Sequence, residues 1–203
     1  MKRATAILMS LALLLGLAAC TTGQMPTASP TPTAPQATAP ESTTPAAQPS
    51  RALIAYFSKT GNTEEVANRI QELTGAALFR IETVTPYPQD YTQTTQVARE
   101  ELEENARPEI AGTVENMEQY DVIYLGYPIW WHEAPMAVYT FLESYDLSGK
   151  TIVPFCTSGG SEIEETLPML QEAVAGAQVR QGLTADGPQD VEPWLRELGL
   201  LDQ

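Results

Sequence analysis

Three short segments of this 203-residue chain hold residue types that can do chemistry together. The first is Ser58-Lys59-Thr60-Gly61-Asn62-Thr63, between an apolar run and a helical pattern. Hydroxyls, a glycine and the unpaired amides of a helix N-terminus make an anion cradle. The spacing is neither G-x-x-x-x-G-K-[ST] nor G-x-G-x-x-G, so it is neither a triphosphate loop nor a dinucleotide fingerprint. A single phosphate monoester is the expected ligand; a Ser/Thr-rich helix cap without ligand is the alternative. The second segment is Pro128-Ile129-Trp130-Trp131-His132. Adjacent tryptophans at a strand end expose apolar area unless something covers them. A flat aromatic ligand would cover one by stacking, while the other packs inward. Packing on the next helix or at a dimer interface is the alternative. His132, the one histidine, is a loop residue able to relay a proton near a redox ring. The third segment is Thr157-Ser158-Gly159-Gly160-Ser161, whose glycines let a backbone approach a ligand closely. Cys156 precedes it. No arginine follows within twenty residues, so a Cys-x5-Arg phosphate loop is excluded and Cys156 reads as a buried strand residue.

Regular elements must present these segments. Short runs apolar on both faces predict buried parallel strands at 52–57, 77–81, 121–127, 151–156 and 177–181. Pro154 weakens a central placement for the fourth. Val66, Ala67, Ile70 and Leu73 form one helical stripe, ended by Gly75. Further helices are expected over 92–105, from Pro135, over 169–175 and over 190–198. Ser161 and Glu164 have capping-box spacing, and Pro168 places the regular start of that helix near 166–168. Alternating strands and helices predict an α/β domain: a doubly wound, five-stranded parallel sheet with helices on both faces. Ligands bind beyond the carboxyl ends of such strands, where all three segments fall.

The first fifty residues read differently. Lys2 and Arg3 precede an apolar stretch, 4–19, that is short for a membrane span and reads as an export signal. Leu17-Ala18-Ala19-Cys20 resembles a bacterial lipobox, which implies a lipidated Cys20 as mature N-terminus. An ordinary secretory signal with an incidental cysteine is the alternative. Residues 21–50 hold seven prolines, eight threonines and one charge, Glu41. Such a segment cannot bury enough apolar surface to fold, and predicts a linker reaching roughly 90 Å when extended. The domain is therefore expected over 51–203. Its 25 acidic and 9 basic side chains leave a charge of −16, which argues against nucleic acid. Two cysteines cannot build a disulfide scaffold, and with one histidine they are too few for a zinc site.

Residues 52–200 resemble flavodoxin-like proteins. The resemblance rests on ALIAYFSKTGNT at 52–63, TPYPQDY at 85–91, ARPEI at 106–110, GYPIWW at 126–131, SGKTIVPFCTSGGS at 148–161 and WLRELGL at 194–200. It implies strand order 2-1-3-4-5 and noncovalent FMN. By the resemblance, Ser58, Thr60, Asn62 and Thr63, with the backbone of Lys59 and Gly61, hold the phosphate. Pro128, Ile129, Trp130 and Trp131 border the isoalloxazine, with His132 beside them. Thr157, Ser158, Gly159 and Gly160 line the other rim. Two departures stand out: His132 occupies a position where relatives usually have glycine, and 182–192 is short. The expectation is an FMN-binding electron carrier, lipid-anchored on the outer face of a bacterial membrane, whose acidity suits a basic redox partner. The alternatives are an FMN-dependent NAD(P)H:quinone or nitro-compound reductase acting on a small quinone-like substrate, and a non-redox binding module.

Overall fold

The computed structural model describes residues 51–201. The expected signal, lipidation site Cys20 and linker lie outside the described residues. Strand β1 (Ala52–Tyr56) leads through a loop to α1 (Asn62–Thr74). Gly75 ends α1 in the left-handed region, its amide on the Gln71 carbonyl. Next come β2 (Ala77–Arg80), the two-residue β3 (Glu82–Thr83) and α2 (Tyr91–Glu103), capped by the Asp90 carboxylate on the Gln93 amide. After β4 (Ile110–Ala111) follow β5 (Val122–Pro128), α3 (Met136–Glu143), β6 (Thr151–Thr157) and α4 (Leu167–Ala173). The chain continues through β7 (Gln178–Val179), β8 (Leu183–Ala185) and α5 (Val191–Glu197).

The main sheet runs β2-β1-β5-β6-β7, all parallel, with β8 also on β6. Its long strands are apolar at successive positions, so both faces must be covered. Leu53, Ile123, Leu125 and Ile152 face the side packed by Met136, Phe141 and Leu142 of α3 and Leu170 of α4. Ile54, Tyr124, Val153 and Phe155 face the side packed by Val66 and Ile70 of α1 and Trp194 and Leu195 of α5. This is the doubly wound fold expected, in the strand order 2-1-3-4-5 when the parallel strands are counted and β7 and β8 share the fifth position.

The details differ from expectation in four places. Pro154 lies in the interior strand β6, opposite Leu125 of β5. The pairing on the other side explains its tolerance. β7 pairs with Thr151 and Ile152, and β8 with Phe155, Cys156 and Thr157. The fifth strand position is thus interrupted beside the residue that has no N–H to donate. The strand expected over 177–181 is accordingly reduced to Gln178–Val179, and a second short strand, Leu183–Ala185, follows beyond that range. The capping box is formed by Glu162 and Glu165, one residue beyond the Ser161–Glu164 pair expected, and it caps a one-turn 3-10 helix (Ile163–Glu165). Finally, β3 and β4 pair antiparallel as a separate small sheet, which periodicity over two residues cannot reveal.

The connection from β5 into α3 is anchored from the helix. The Tyr139 hydroxyl donates to Glu133 Oε1 at 2.5 Å, and the Ala134 amide donates to the same oxygen at 3.0 Å. Burial raises the Glu133 carboxyl above its ordinary range, against the lowering by these two bonds. Arg107 lies 5.7 Å above the Tyr139 ring and grips Glu143 with two bonds of 2.8 and 2.6 Å.

Two outcomes follow from this packing. A Cβ on Gly126 would sit 2.2 Å from the Phe155 ring. Gly126→Ala should therefore lose about 1–3 kcal/mol, read as a lower urea midpoint at unchanged slope. The second concerns Glu133, which keeps its proton in the folded state over a range where the unfolded chain has lost it. Its contribution to stability therefore falls as pH rises through that range. Glu133→Gln keeps an acceptor oxygen and removes the titration. Relative to the parent it should gain stability as pH rises above the ordinary carboxylate value. Urea midpoints that keep a constant separation across that range would show the carboxyl to be unperturbed.

Candidate functional site

The loop after β1 is built around Ser58, which is buried. Its Oγ accepts from the amides of Gly61 at 3.2 Å and Glu64 at 3.3 Å. Gly61 is the N-cap residue of α1, at φ 99°, with no side-chain cap. A glycine reaches this region without the Cβ clash that other residues meet. The amide of Glu65 closes on the Gly61 carbonyl. Among the described residues, the Asn62 and Thr63 amides have no protein acceptor, as expected for a first helical turn. They leave donors for an anion at the positive end of a 13-residue helix. Thr60 and Asn62 lie on the outer side of the loop, whereas Thr63 is buried. The Lys59 amine is turned to the Tyr87 carbonyl at 3.3 Å, so only its backbone belongs to the cradle. Arg80 reaches in from β2, donating to the Ser58 carbonyl at 3.2 Å and pairing with Glu64 at 3.0 Å.

The loop after β5 divides its tryptophans. Trp130 packs edge-on against Phe57 at 5.4 Å and Tyr87 at 5.2 Å, both buried rings. Trp131 is 46% exposed. Its Nε1 donates to the Thr95 carbonyl at 2.8 Å, and Arg99 stands 5.2 Å over its ring. Trp130 and Glu133 exchange both amide–carbonyl bonds, at 2.8 and 3.0 Å, around Trp131 and His132. Those two residues have φ of 52° and 66°. This is a type I′ turn, normally made by Asn and Gly. A left-handed residue with a Cβ costs roughly 1–2 kcal/mol, so the turn is strained and must be held by its surroundings.

The loop after β6 turns on Ser158, whose Oγ accepts from the amides of Gly160 at 3.1 Å and Ser161 at 2.7 Å. A Cβ on Gly159 or Gly160 would meet nothing within 4 Å, so this rim is open space. Cys156 beneath it is buried, and burial pushes its thiol up to about 12, making it inert at neutral pH.

The three loops converge. Thr63 and Thr157 bring their hydroxyls to 2.9 Å. The Ile129 amide donates to the Thr157 carbonyl at 3.1 Å, one step beyond Pro128. His132 Nδ1 lies 2.6 Å from Glu165 Oε2. Residues that sequence reasoning overlooked complete the surround. Thr95 and Arg99 belong to the helix expected over 92–105, where no motif marks either residue as facing the site. Tyr87, Glu133 and Glu165 are polar or aromatic residues far apart in sequence. Only the segment 85–91, which contains Tyr87, carried any signal.

Comparison with known proteins agrees with this arrangement. A family model described as flavodoxin matches residues 51–198. No curated protein matches the chain. A candidate flavoprotein from Bacteroides eggerthii, solved by crystallography, is 35% identical with a TM-score of 0.67, covering 74% of this chain and 98% of its own. A second, from Bacteroides uniformis, is 30% identical with a TM-score of 0.65, covering 73% and 99%. The crystal structure of a flavoprotein in complex with FMN from Lactobacillus acidophilus has a TM-score of 0.62 at 24% identity, covering 71% and 98%. With the family match spanning nearly the whole described domain and an open three-loop site at the carboxyl ends of the central strands, the chain belongs to the flavodoxin family.

Proposed function

We propose that this chain is an FMN-binding redox protein that carries electrons outside the cytoplasmic membrane, tethered there through a lipidated Cys20. One observation carries the FMN reading: an anion cradle, a half-exposed indole and an open glycine rim meet at the carboxyl ends of the central strands in a member of the flavodoxin family. The Lactobacillus acidophilus relative was crystallised with FMN. The residues fit that cofactor. The amides of Asn62 and Thr63 offer donors to a phosphate monoester, and the exposed indole of Trp131 offers a face to a planar ring. Thr157 to Gly160 border the opposite rim. When bound, the flavin supplies the redox chemistry; the protein positions it and sets its surroundings.

The tether is supported by the lipobox-like Leu17-Ala18-Ala19-Cys20 and the Thr/Pro/Ala-rich segment after it. The net charge of the domain, −16, supports a basic partner protein and association that weakens with salt. A second reading, reduction of quinone-like or nitro compounds by NAD(P)H, is favoured by the exposure of Trp131, which puts an indole surface within reach of small molecules.

Reconstitution tests the core claim: the purified protein mixed with FMN and desalted should keep a visible flavin spectrum, and a colourless product refutes it. Rapid-mixing reduction of that flavin by NADH or NADPH separates carrier from reductase, the carrier reading requiring it to be negligible over minutes. Ser58→Ala removes the acceptor that shapes the cradle. With each lost bond worth about 1 kcal/mol, FMN affinity should fall by roughly fivefold to thirtyfold in a fluorescence titration.

A further inference from the structure

The strained turn at Trp131 and His132 is held across the mouth of the site by a residue that neither fold nor family assigns. His132 Nδ1 meets Glu165 Oε2 at 2.6 Å and Ser161 Oγ at 3.4 Å. Glu165 is itself oriented, because its Oε1 accepts from the Glu162 amide at 3.0 Å. One oxygen of the carboxylate is therefore fixed by the segment after β6, and the other reaches the turn after β5. An ionised carboxylate only accepts hydrogen bonds, so the imidazole must donate from Nδ1. That choice leaves Nε2 as the acceptor of the neutral ring. Nε2 has no protein partner among the described residues, and the His132 side chain is 76% exposed.

We propose that Glu165 is a positioning residue: it holds His132 in one tautomer and clamps the β5 and β6 loops together, slowing release of FMN from between them. The inference rests on the reading that FMN occupies these loops. It also accounts for a histidine at a left-handed position, where glycine would fold more easily. The side chain supplies a bond across the cleft that glycine cannot.

The single histidine of the chain makes the test direct. In untagged, 15N-labelled protein, two-bond nitrogen–proton correlations report one imidazole. The neutral ring of the parent should carry its proton on Nδ1. Glu165→Ala should move that proton to Nε2 or give a mixture, and Glu165→Gln should fall between. FMN dissociation, followed by recovery of flavin fluorescence on dilution, should be roughly two- to fivefold faster in Glu165→Ala, the scale of an exposed ion pair. The glutamine variant should again fall between. An Nε2-protonated parent, or unchanged dissociation in Glu165→Ala, overturns the proposal. A parent that retains no FMN overturns the functional reading, and the tautomer then decides the clamp by itself.

Discussion

The parallel ladder between β5 and β6 is the constraint on which the site depends. Its pairs run from Val122 with Thr151 to Pro128 with Thr157, and the Ile129 amide closes it on the Thr157 carbonyl. Both strands therefore end at the same level, and their loops leave side by side. A slip of one residue would turn each strand's buried side chains to the opposite face, separating the two loops by a residue's rise as well. Gly126 protects the register, since only a residue without a Cβ leaves room for Phe155 across from it. Phe155 in turn meets Trp194 of α5, which ties the register to the C-terminal helix.

Rigid strand ends make a strained loop tenable. The Trp131–His132 turn is braced by contacts from three directions: Thr95 and Arg99 in α2, Tyr139 in α3 acting through Glu133, and Glu165 ahead of α4. Most of these groups are charged or half-buried and would each contribute little alone. Their effect comes from acting on one four-residue turn. Within the acidic excess of the domain, several of the basic side chains lie where acids need partners. Arg80 serves Glu64, Arg99 serves Glu103 and Arg107 serves Glu143.

Much of this was legible in the sequence because parallel strands announce themselves as short runs apolar on both faces. Residues 52–57 and 121–127 are such runs, and the loops following them contain the cradle and the tryptophans. The division of labour between Trp130 and Trp131 was foreseen only as a division. Which indole turns inward depends on Phe57 and Tyr87, thirty residues apart and joined only by the fold. Thr95 and Arg99 escaped notice because a helix with a weak apolar stripe does not show which polar residue will meet a distant loop. The break between β7 and β8 was also hidden. Pro154 signals a missing donor, but the pattern does not say which neighbour goes without it.

That break has a further effect at the rim of the sheet. An exposed edge strand presents unpaired backbone groups on which another chain can align, and proteins blunt such edges by keeping them short. Here one margin consists of a two-residue and a three-residue strand separated by Arg180, Gln181 and Gly182. Neither piece is long enough to template an intermolecular β-ladder. The proline beside the interrupted fifth strand position thereby goes with a margin too broken to align another chain along it.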